Sequence, residues 1–168
     1  MLDKLKVSPK QTTKQEELDE LFSWHANLVK FDRRQSIVLM NDESKYTIIL
    51  YGLLAKDFSQ LPQIFREAIR KVWRKEGIEE SLIDGYLATA GEVQFVKTKN
   101  RNLISSLNQA CLEVGVFFES MVNRDEMIQT ALSMKESRLL AKMKNSKYAE
   151  PFEVLNKQLK QFADDEES

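Results

Sequence analysis

The fold is decided by the stretch WHANLVKFDRRQSIVLMNDESKYTIIL, residues 24–50. It holds three runs with strand character and two polar interruptions: strands at 24–31, 36–40 and 46–50, turns at 32–35 and 41–44. In the first run Ala26 and Leu28 alternate with Asn27, which is the period of a strand with one buried face. Because residues 46–50 are almost continuously apolar, the pattern predicts a three-strand meander in which this strand is central and covered on both faces.

After residue 58 the apolar residues recur with the period of a helix. Five helical segments are predicted: 59–75, 78–87, 102–121, one that begins at Asn123, and one through 152–162. A further strand is predicted at 92–97, and Leu5–Val7 could add a strand at the sheet edge. This order predicts an α+β fold, with a small, mainly antiparallel sheet (the three-strand meander plus one later strand) packed with about five helices.

The sequence also predicts where the helices begin and end and what they bury. Ser59 is the predicted N-cap of the first helix, and Gly77 is its predicted end. Asn123, with Glu126 three residues later, resembles a capping box. The side chains predicted to be largely buried are Trp73, Leu107, Val114 and Phe117.

The length of the chain favours a single domain, and its net charge indicates no strong overall electrostatic field. The chain has 168 residues, of which 42% are hydrophobic, enough for one core but not for two domains. Its 25 basic and 26 acidic side chains leave a net charge of −1, so no global field attracts nucleic acid or anionic lipid. We expect a single α+β domain over residues 1–163 and a flexible acidic tail over residues 164–168.

Several classes of protein are excluded or disfavoured by composition. A single cysteine, Cys111, and a single histidine, His25, cannot supply a disulfide framework or the usual zinc ligands, so neither a metal nor a cofactor is expected. The longest apolar run, 48–55, is too short to span a bilayer, and the first ten residues lack an apolar signal core. We therefore expect a cytoplasmic protein without a membrane partner. Phosphate-binding glycine loops and the common hydrolase motifs are also absent from the sequence.

One combination of short motifs resembles a known family. Trp24-His25-Ala26-Asn27, then Asp32-Arg33-Arg34, then Lys97-Thr98 with Arg101 follow one another in that order. Residues 5–118 thereby resemble an uncharacterised bacterial and phage domain family with W-Y-A-N, D-R-R and K-T-x-x-R segments, a block also found beside plasmid ORF-3-like domains. The chain departs from that pattern at His25, where the family usually has Tyr, and at Asn102, where it often has Ser. The resemblance implies no activity, because the family has no known function.

The strand-to-helix junction at residues 97–101 is the candidate site, as a corner suited to an anion. Lys97 and Arg101 supply charge, while Thr98, Asn100 and the first free N–H groups of the following helix supply donors. Asp32, Arg33 and Arg34 would complete the corner if the strand at 92–97 pairs beside their hairpin. The possible additional site residues are Trp24, His25 and Asn27.

A purely structural interpretation explains the same residue types. Asp32 would then stabilise the turn, the two arginines would pair with carboxylates, and Asn100 or Asn102 would cap the helix. Likewise His25 would be a packed or turn-bonded histidine. Sequence alone leaves both interpretations open.

Three classes of function remain. The first is a non-enzymatic interaction or regulatory module of a bacterial or phage cytoplasm, whose last two helices offer an amphipathic surface for a protein partner or for self-association. The second is a phosphate-, nucleotide- or nucleic-acid-binding domain that uses residues 97–101. The third is an enzyme of unrecognised kind, in which Asp32, His25 and Lys97 would be the first residues to examine.

Overall fold

The structure is a computed structural model that describes residues 5–7, 20–91, 93–95 and 100–167. Within these residues five strands form one antiparallel sheet and two short strands form a hairpin. The strands are β1 (Leu5–Val7), β2 (Ser23–Phe31), β3 (Arg34–Asn41), β4 (Thr47–Tyr51), β5 (Val93–Phe95), β6 (Ala141–Lys142) and β7 (Tyr148–Ala149). The order in the larger sheet is β4-β3-β2-β1-β5.

The helices cover both faces of this sheet. They are α1 (Ala55–Phe58), α2 (Leu61–Glu76), α3 (Glu80–Thr89), α4 (Arg101–Met121), α5 (Thr130–Glu136) and α6 (Pro151–Glu167). On one face Trp24 of β2 packs edge-on against Phe65 of α2, with ring centroids 5.1 Å apart. On the other face Phe31 of β2 stacks on Phe118 of α4 at 5.1 Å. The predicted α+β fold is therefore confirmed, with helices on both sides of an antiparallel sheet.

The predicted meander is present, but its first turn is shorter than expected. Only Asp32 and Arg33 lie between β2 and β3, and both have positive φ angles, 51° and 63°. Two consecutive left-handed residues are the requirement of the tight hairpin turn whose twist matches the flanking strands. Arg34 and Gln35, predicted as part of the turn, consequently belong to β3 and pair with Phe31 and Lys30.

Strand β4 is an edge strand, so its predicted central position is wrong. The segment that leads into α5 nevertheless forms hydrogen bonds with the exposed side of its backbone. The Gln129 N–H donates to the Ile49 carbonyl at 3.0 Å. The side chains of Ser133 and Ser137 accept from the N–H groups of Ile49 and Thr47, both at 3.0 Å. The apolar run reflects burial of its side chains on both faces of the sheet, as predicted, with Leu50 in one core and Ile49 in the other. The hydrogen bonds cover backbone groups that an edge strand would otherwise expose.

The strand at Leu5–Val7 lies inside the sheet rather than at its edge. It pairs with β2 on one side and with β5 on the other, and β5 is the edge strand. The later strand predicted at 92–97 is thus confirmed at Val93–Phe95.

Two predicted helix starts are wrong. Ser59 follows α1 and donates to the Lys56 carbonyl, while Gln60 is the N-cap of α2. The fourth predicted helix begins at Thr130, not Asn123, because residues 122–129 turn back to reach the edge of β4. The predicted helix end at Gly77 is confirmed by its left-handed φ of 89°.

The predicted core positions are mostly confirmed. Trp73, Leu107 and Val114 are buried, but Phe117 is only half-buried, with Lys135 over its ring, and Phe118 fills the core in its place.

Helix α6 continues through the acidic residues 164–167, where the sequence predicts a flexible tail. None of the helices in the described part of the chain combines the length and apolar character needed to cross a membrane.

Candidate functional site

The predicted anion corner is only partly within the described residues. Lys97 and Thr98 lie outside them. Asn100 is the N-cap of α4, and its side-chain oxygen accepts from the N–H groups of Asn102 and Leu103 at 3.1 and 3.2 Å. Arg101 is exposed on the first turn. The capping role expected from the structural interpretation is therefore confirmed for Asn100.

The hairpin turn does not meet this corner. Strand β5 reaches β2 only through β1, which pairs with Ser23 and Trp24 at the opposite end of β2 from the turn. Asp32 instead accepts from Arg124, which follows the carboxyl end of α4, at 3.1 Å. Since α4 has 21 residues and is thus about 30 Å long, the turn lies at the far end of that helix.

The two turn arginines have other surroundings too. Arg33 is exposed at the turn itself. Arg34 lies over the ring of Tyr51 at 5.9 Å. Both belong to the end of the sheet that is remote from Asn100, so the condition under which they would complete the corner is not met.

The additional candidates Trp24, His25 and Asn27 occupy packed positions. Trp24 is fully buried and its indole N–H donates to the Tyr86 hydroxyl at 3.1 Å. Asn27 contacts the sulfur of Cys111 at 3.7 Å, and burial raises the pKa of that thiol to about 11. These contacts explain the side chains without a ligand.

His25 joins the sheet to the turn between β3 and β4. Its Nδ1 lies 2.6 Å from Oδ1 of Asp42, and both residues are buried. Its Nε2 is buried and has no hydrogen-bond partner in the described ranges of the chain. His25 thus holds Asp42 in place beneath the cleft described next.

A polar cleft opens at the amino-terminal end of α4, with a volume of about 410 Å³. It lies between the first turns of α4, the β3–β4 turn and the β6–β7 hairpin. Its walls are Glu20, Asp42, Lys45, Asn100, Asn102, Leu103, Ser105, Ser106, Lys142, Met143, Lys144 and Ser146. The cleft therefore brings Asn100 of the predicted corner together with three lysines that sequence reasoning missed.

Lys45 is the unusual member of this cleft. It is only 6% exposed, and it stands at a left-handed φ of 65° in the β3–β4 turn. Its ammonium donates to the backbone carbonyl of Asp42 at 2.6 Å. Burial lowers its pKa, against the opposing fields of Asp42, Glu20 and Glu43.

The turn that carries Lys45 is held rigidly by its neighbours. Asn41 donates to the carbonyl of Leu21 at 2.8 Å and accepts from both the N–H and the hydroxyl of Ser44. These buried bonds fix the path of the backbone into the left-handed residue. The geometry of Lys45 is thus set by the fold.

Two further carboxylates lie near Lys45: Glu20 in the cleft wall and Glu43 in the β3–β4 turn. Glu20 pairs with Lys144 at 2.6 Å, although Lys144 is largely exposed. Burial and the adjacent Glu20 raise the pKa of Glu43 to about 7. Lys142 is exposed, and among the described residues no carboxylate forms an ion pair with it.

No local sequence signal could have assembled this cleft. Lys45 lies in a turn of the meander, whereas Lys142 and Lys144 lie in the distant β6–β7 hairpin. In the sequence, a lysine in a polar turn looks like any surface residue, because lysines are mostly exposed. The burial of Lys45 results from tertiary packing. Within the residues described, no three His, Cys, Asp or Glu side chains converge as they would around a metal ion.

Comparison with known proteins gives a family without an activity. No curated protein and no solved structure matches the chain. A family model described as "Domain of unknown function (DUF6933)" matches residues 1–154, farther along the chain than the motifs at 24–101. The predicted membership of an uncharacterised family is thereby confirmed, and the chain belongs to the family of domains of unknown function DUF6933.

Proposed function

We propose that this domain is a non-enzymatic binding module of a bacterial or phage cytoplasm, and that the cleft at the start of α4 binds a phosphate group of its ligand. The observation that carries the proposal is the buried ammonium group of Lys45 in the cleft wall. An ammonium has three N–H donors, and the described residues accept one of them, through the Asp42 carbonyl. The remaining donors suit an anionic ligand.

The other groups in the cleft support the same ligand chemistry. Lys142 adds an exposed positive charge, and Ser105 and Ser106 add hydroxyl donors from the first turns of α4. The positive end of the α4 dipole lies at this end of the helix. The nearby Asp42 carboxylate is already engaged by His25, and Glu20 by Lys144.

The test is a calorimetric titration of the protein with each of three probes: inorganic phosphate, adenosine monophosphate and adenosine. The proposal expects the two phosphate-bearing probes to bind and adenosine not to bind. Lys142→Met should weaken phosphate binding roughly tenfold to a hundredfold, since a hydrogen bond to a charged group contributes about 1.5–3 kcal/mol. Lys160→Met, an exposed lysine of α6, is the matched control and should bind like the wild type.

Two further variants distinguish the cleft from the corner at residues 97–101. Lys45→Met should abolish phosphate binding while a circular dichroism spectrum confirms the fold. Arg101→Ala tests whether the exposed arginine of the first α4 turn also contributes. Equal binding by wild type and Lys142→Met, or no shift by any phosphate-bearing probe at millimolar concentration, would overturn the proposal.

A nucleic acid is distinguished from a nucleotide by salt. A short RNA that engages several phosphates loses affinity steeply as salt rises, whereas a single phosphate in this cleft gives a shallow dependence. We expect the shallow dependence, because the net charge of the chain is −1 and one cleft of about 410 Å³ admits few phosphates.

Self-association is the second candidate function, and a different surface favours it. The apolar face of α6, predicted as a partner surface, is buried through Leu155 and Leu159. On α4, however, Leu112 and Val116 are 69% and 76% exposed, one turn apart. A near-neutral chain offers little repulsion to a second copy. Light scattering should show a concentration-dependent dimer that Leu112→Glu removes; a monomer at every concentration would exclude it.

A further inference from the structure

A second cavity, also of about 410 Å³, continues from the cleft along α4. The two cavities share Lys45, Ser105, Ser106 and Lys142. The second one extends farther, to Gln109 and Glu113 of α4 and to Glu136 at the end of α5. Its outer rim carries Leu140 and Tyr148, which are 69% and 68% exposed.

The end of this cavity holds a pair of carboxyl groups. Glu136 is only 6% exposed, and its Oε2 is buried without a hydrogen-bond partner among the described residues. Glu113 lies within hydrogen-bonding reach of Glu136, and burial, together with the field of Glu113, raises the pKa of Glu136 to about 9. A buried carboxyl group normally has a hydrogen-bond or ionic partner, so the free oxygen at a cavity wall requires an explanation.

The basic side chains near this cavity do not supply that partner. Lys45 directs its ammonium to the Asp42 carbonyl, in the first cleft. Lys142 of β6 is exposed and forms no ion pair within the described part of the chain. Cys111 of α4 is a further titratable neighbour, and burial raises the pKa of its thiol, which is therefore neutral. Within the part of the chain that the structure describes, the pair thus lacks a compensating cation.

We propose that this second cavity binds a primary ammonium group on a short alkyl chain, with the ammonium donating to Glu136 and Glu113. Met40, Ala110 and Pro151 provide apolar wall for the alkyl part, whereas Lys45 and Lys142 belong to the part of the cavity that is shared with the first cleft. An ammonium is a compact point charge, which matches a single free carboxyl oxygen better than a planar guanidinium does. The second cavity shares Lys45, Ser105, Ser106 and Lys142 with the phosphate cleft. Its carboxyl end, at Glu136 and Glu113, belongs to the second cavity.

Binding exchanges a proton for the ammonium ion. At pH 7 the unoccupied pair holds a proton, because the pKa of Glu136 is raised to about 9. When the ammonium enters, the carboxyl O–H bond breaks, the proton passes to the buffer and the carboxylate forms the ion pair. The net charge of the cavity is therefore unchanged, and about one proton is released for each amine bound.

Pentylamine is the probe, and pentanol is its neutral counterpart of equal length. Calorimetry at pH 7 in two buffers of different ionisation enthalpy should show pentylamine binding with release of about one proton, and pentanol should bind at least tenfold more weakly. A lysine blocked as its N-acetyl amide distinguishes the source of the ammonium: tighter binding than pentylamine indicates a lysine side chain of a protein, and weaker binding indicates a free amine.

The decisive variant is Glu136→Gln, which keeps the size of the side chain and a donor toward Glu113. It should weaken pentylamine binding roughly tenfold to a hundredfold and abolish proton release. Glu113→Gln, at a half-buried position, gives a second test if Glu136→Gln folds poorly. The exposed carboxylate of Glu153 provides the control, and Glu153→Gln should leave both measurements unchanged.

Three results would overturn the proposal. They are equal affinity for pentanol and pentylamine, binding without proton release, and unchanged affinity in both glutamate variants. The phosphate titration described above is a separate measurement, so failure of one site leaves the other to be judged by itself.

Discussion

At the scale of single residues, burial decides which carboxyl groups carry charge. Glu136 is buried on α5, and moving a charged carboxylate from water to a buried position costs free energy. The adjacent Glu113 adds a like charge, and both effects raise the pKa of Glu136 to about 9. The side chain is therefore a neutral hydrogen-bond donor over most of the accessible pH range.

Replacing Glu136 with Gln should change how stability depends on pH. The folded pKa of about 9 lies above the unfolded value of 4.5, so the contribution of Glu136 is present below pH 4.5 and declines as pH rises toward 9. Glu136→Gln should be close to wild type at pH 5 and more stable by about 1 kcal/mol or more at pH 8.

Urea unfolding at the two pH values measures this difference, with Glu153→Gln as the exposed control. If the gap between Glu136→Gln and wild type is the same at pH 5 and pH 8, Glu136 is ionised in the folded domain.

At the scale of elements, the edge of β4 depends on two buried serines. Ser133 and Ser137 are fully buried, and each accepts from a backbone N–H of β4. Removal of one hydroxyl leaves a buried N–H without a partner, which costs about 1–3 kcal/mol. We expect Ser133→Ala and Ser137→Ala to lower the free energy of unfolding by that amount.

Ser120→Ala provides the comparison, because Ser120 is exposed and its hydroxyl donates to the Phe117 carbonyl of the same helix. It should change the free energy of unfolding by less than about 0.5 kcal/mol. Similar values for Ser120→Ala and Ser133→Ala in urea unfolding would show that the edge of β4 is reached by water.

Helix α4 has one face in the core and another in solvent. Leu107 is 4% exposed, whereas Leu112 on the same helix is 69% exposed. Leu107→Ala should cost about 2–5 kcal/mol, as expected when a buried leucine leaves a cavity. Leu112→Ala should cost less than about 0.5 kcal/mol at a protein concentration where the chain is monomeric. Equal costs would place both leucines in the same environment.

Whether an element can be predicted from the sequence depends on how far along the chain its stabilising partners lie. The β2–β3 hairpin and the core stripe of α4 depend on neighbours in sequence, so alternation and helical periodicity predict them. The position of β4 at the edge depends on Ser133 and Ser137, which lie over 80 residues away along the chain. Periodicity reports burial of β4 correctly, but it carries no information on which element does the burying.

The candidate site shows the same division. Asn100 is predictable as a cap, because a side-chain oxygen before a helical stripe is a local signal. The cleft itself joins Lys45 to Lys142 through tertiary packing of two turns. Likewise Glu113 and Glu136 meet only because α5 packs beside α4. Pairings of this kind need the fold before they can be proposed.

At the scale of the whole molecule, the helices that complete the domain come from the end of the chain. Leu155, Leu159 and Phe162 of α6 belong to the same core as Trp24 and Trp73. The family match ends at residue 154, so most of α6 lies beyond the matched region although its apolar face is buried. The fold of this chain therefore depends on a segment outside the family match.

The stabilising part of α6 should end at Phe162. Residues 164–167 are four exposed acidic side chains in the last turn, where the negative end of the helix dipole disfavours carboxylates. Deletion of residues 164–168 should therefore change the melting temperature by less than about 2 °C, since no buried apolar side chain is lost. Deletion from Phe162 onward removes a buried ring and should lower the melting temperature clearly more. If the shorter deletion alone causes a large loss, the acidic turn is docked against the domain, and its charge then contributes to stability by pairing with a basic surface.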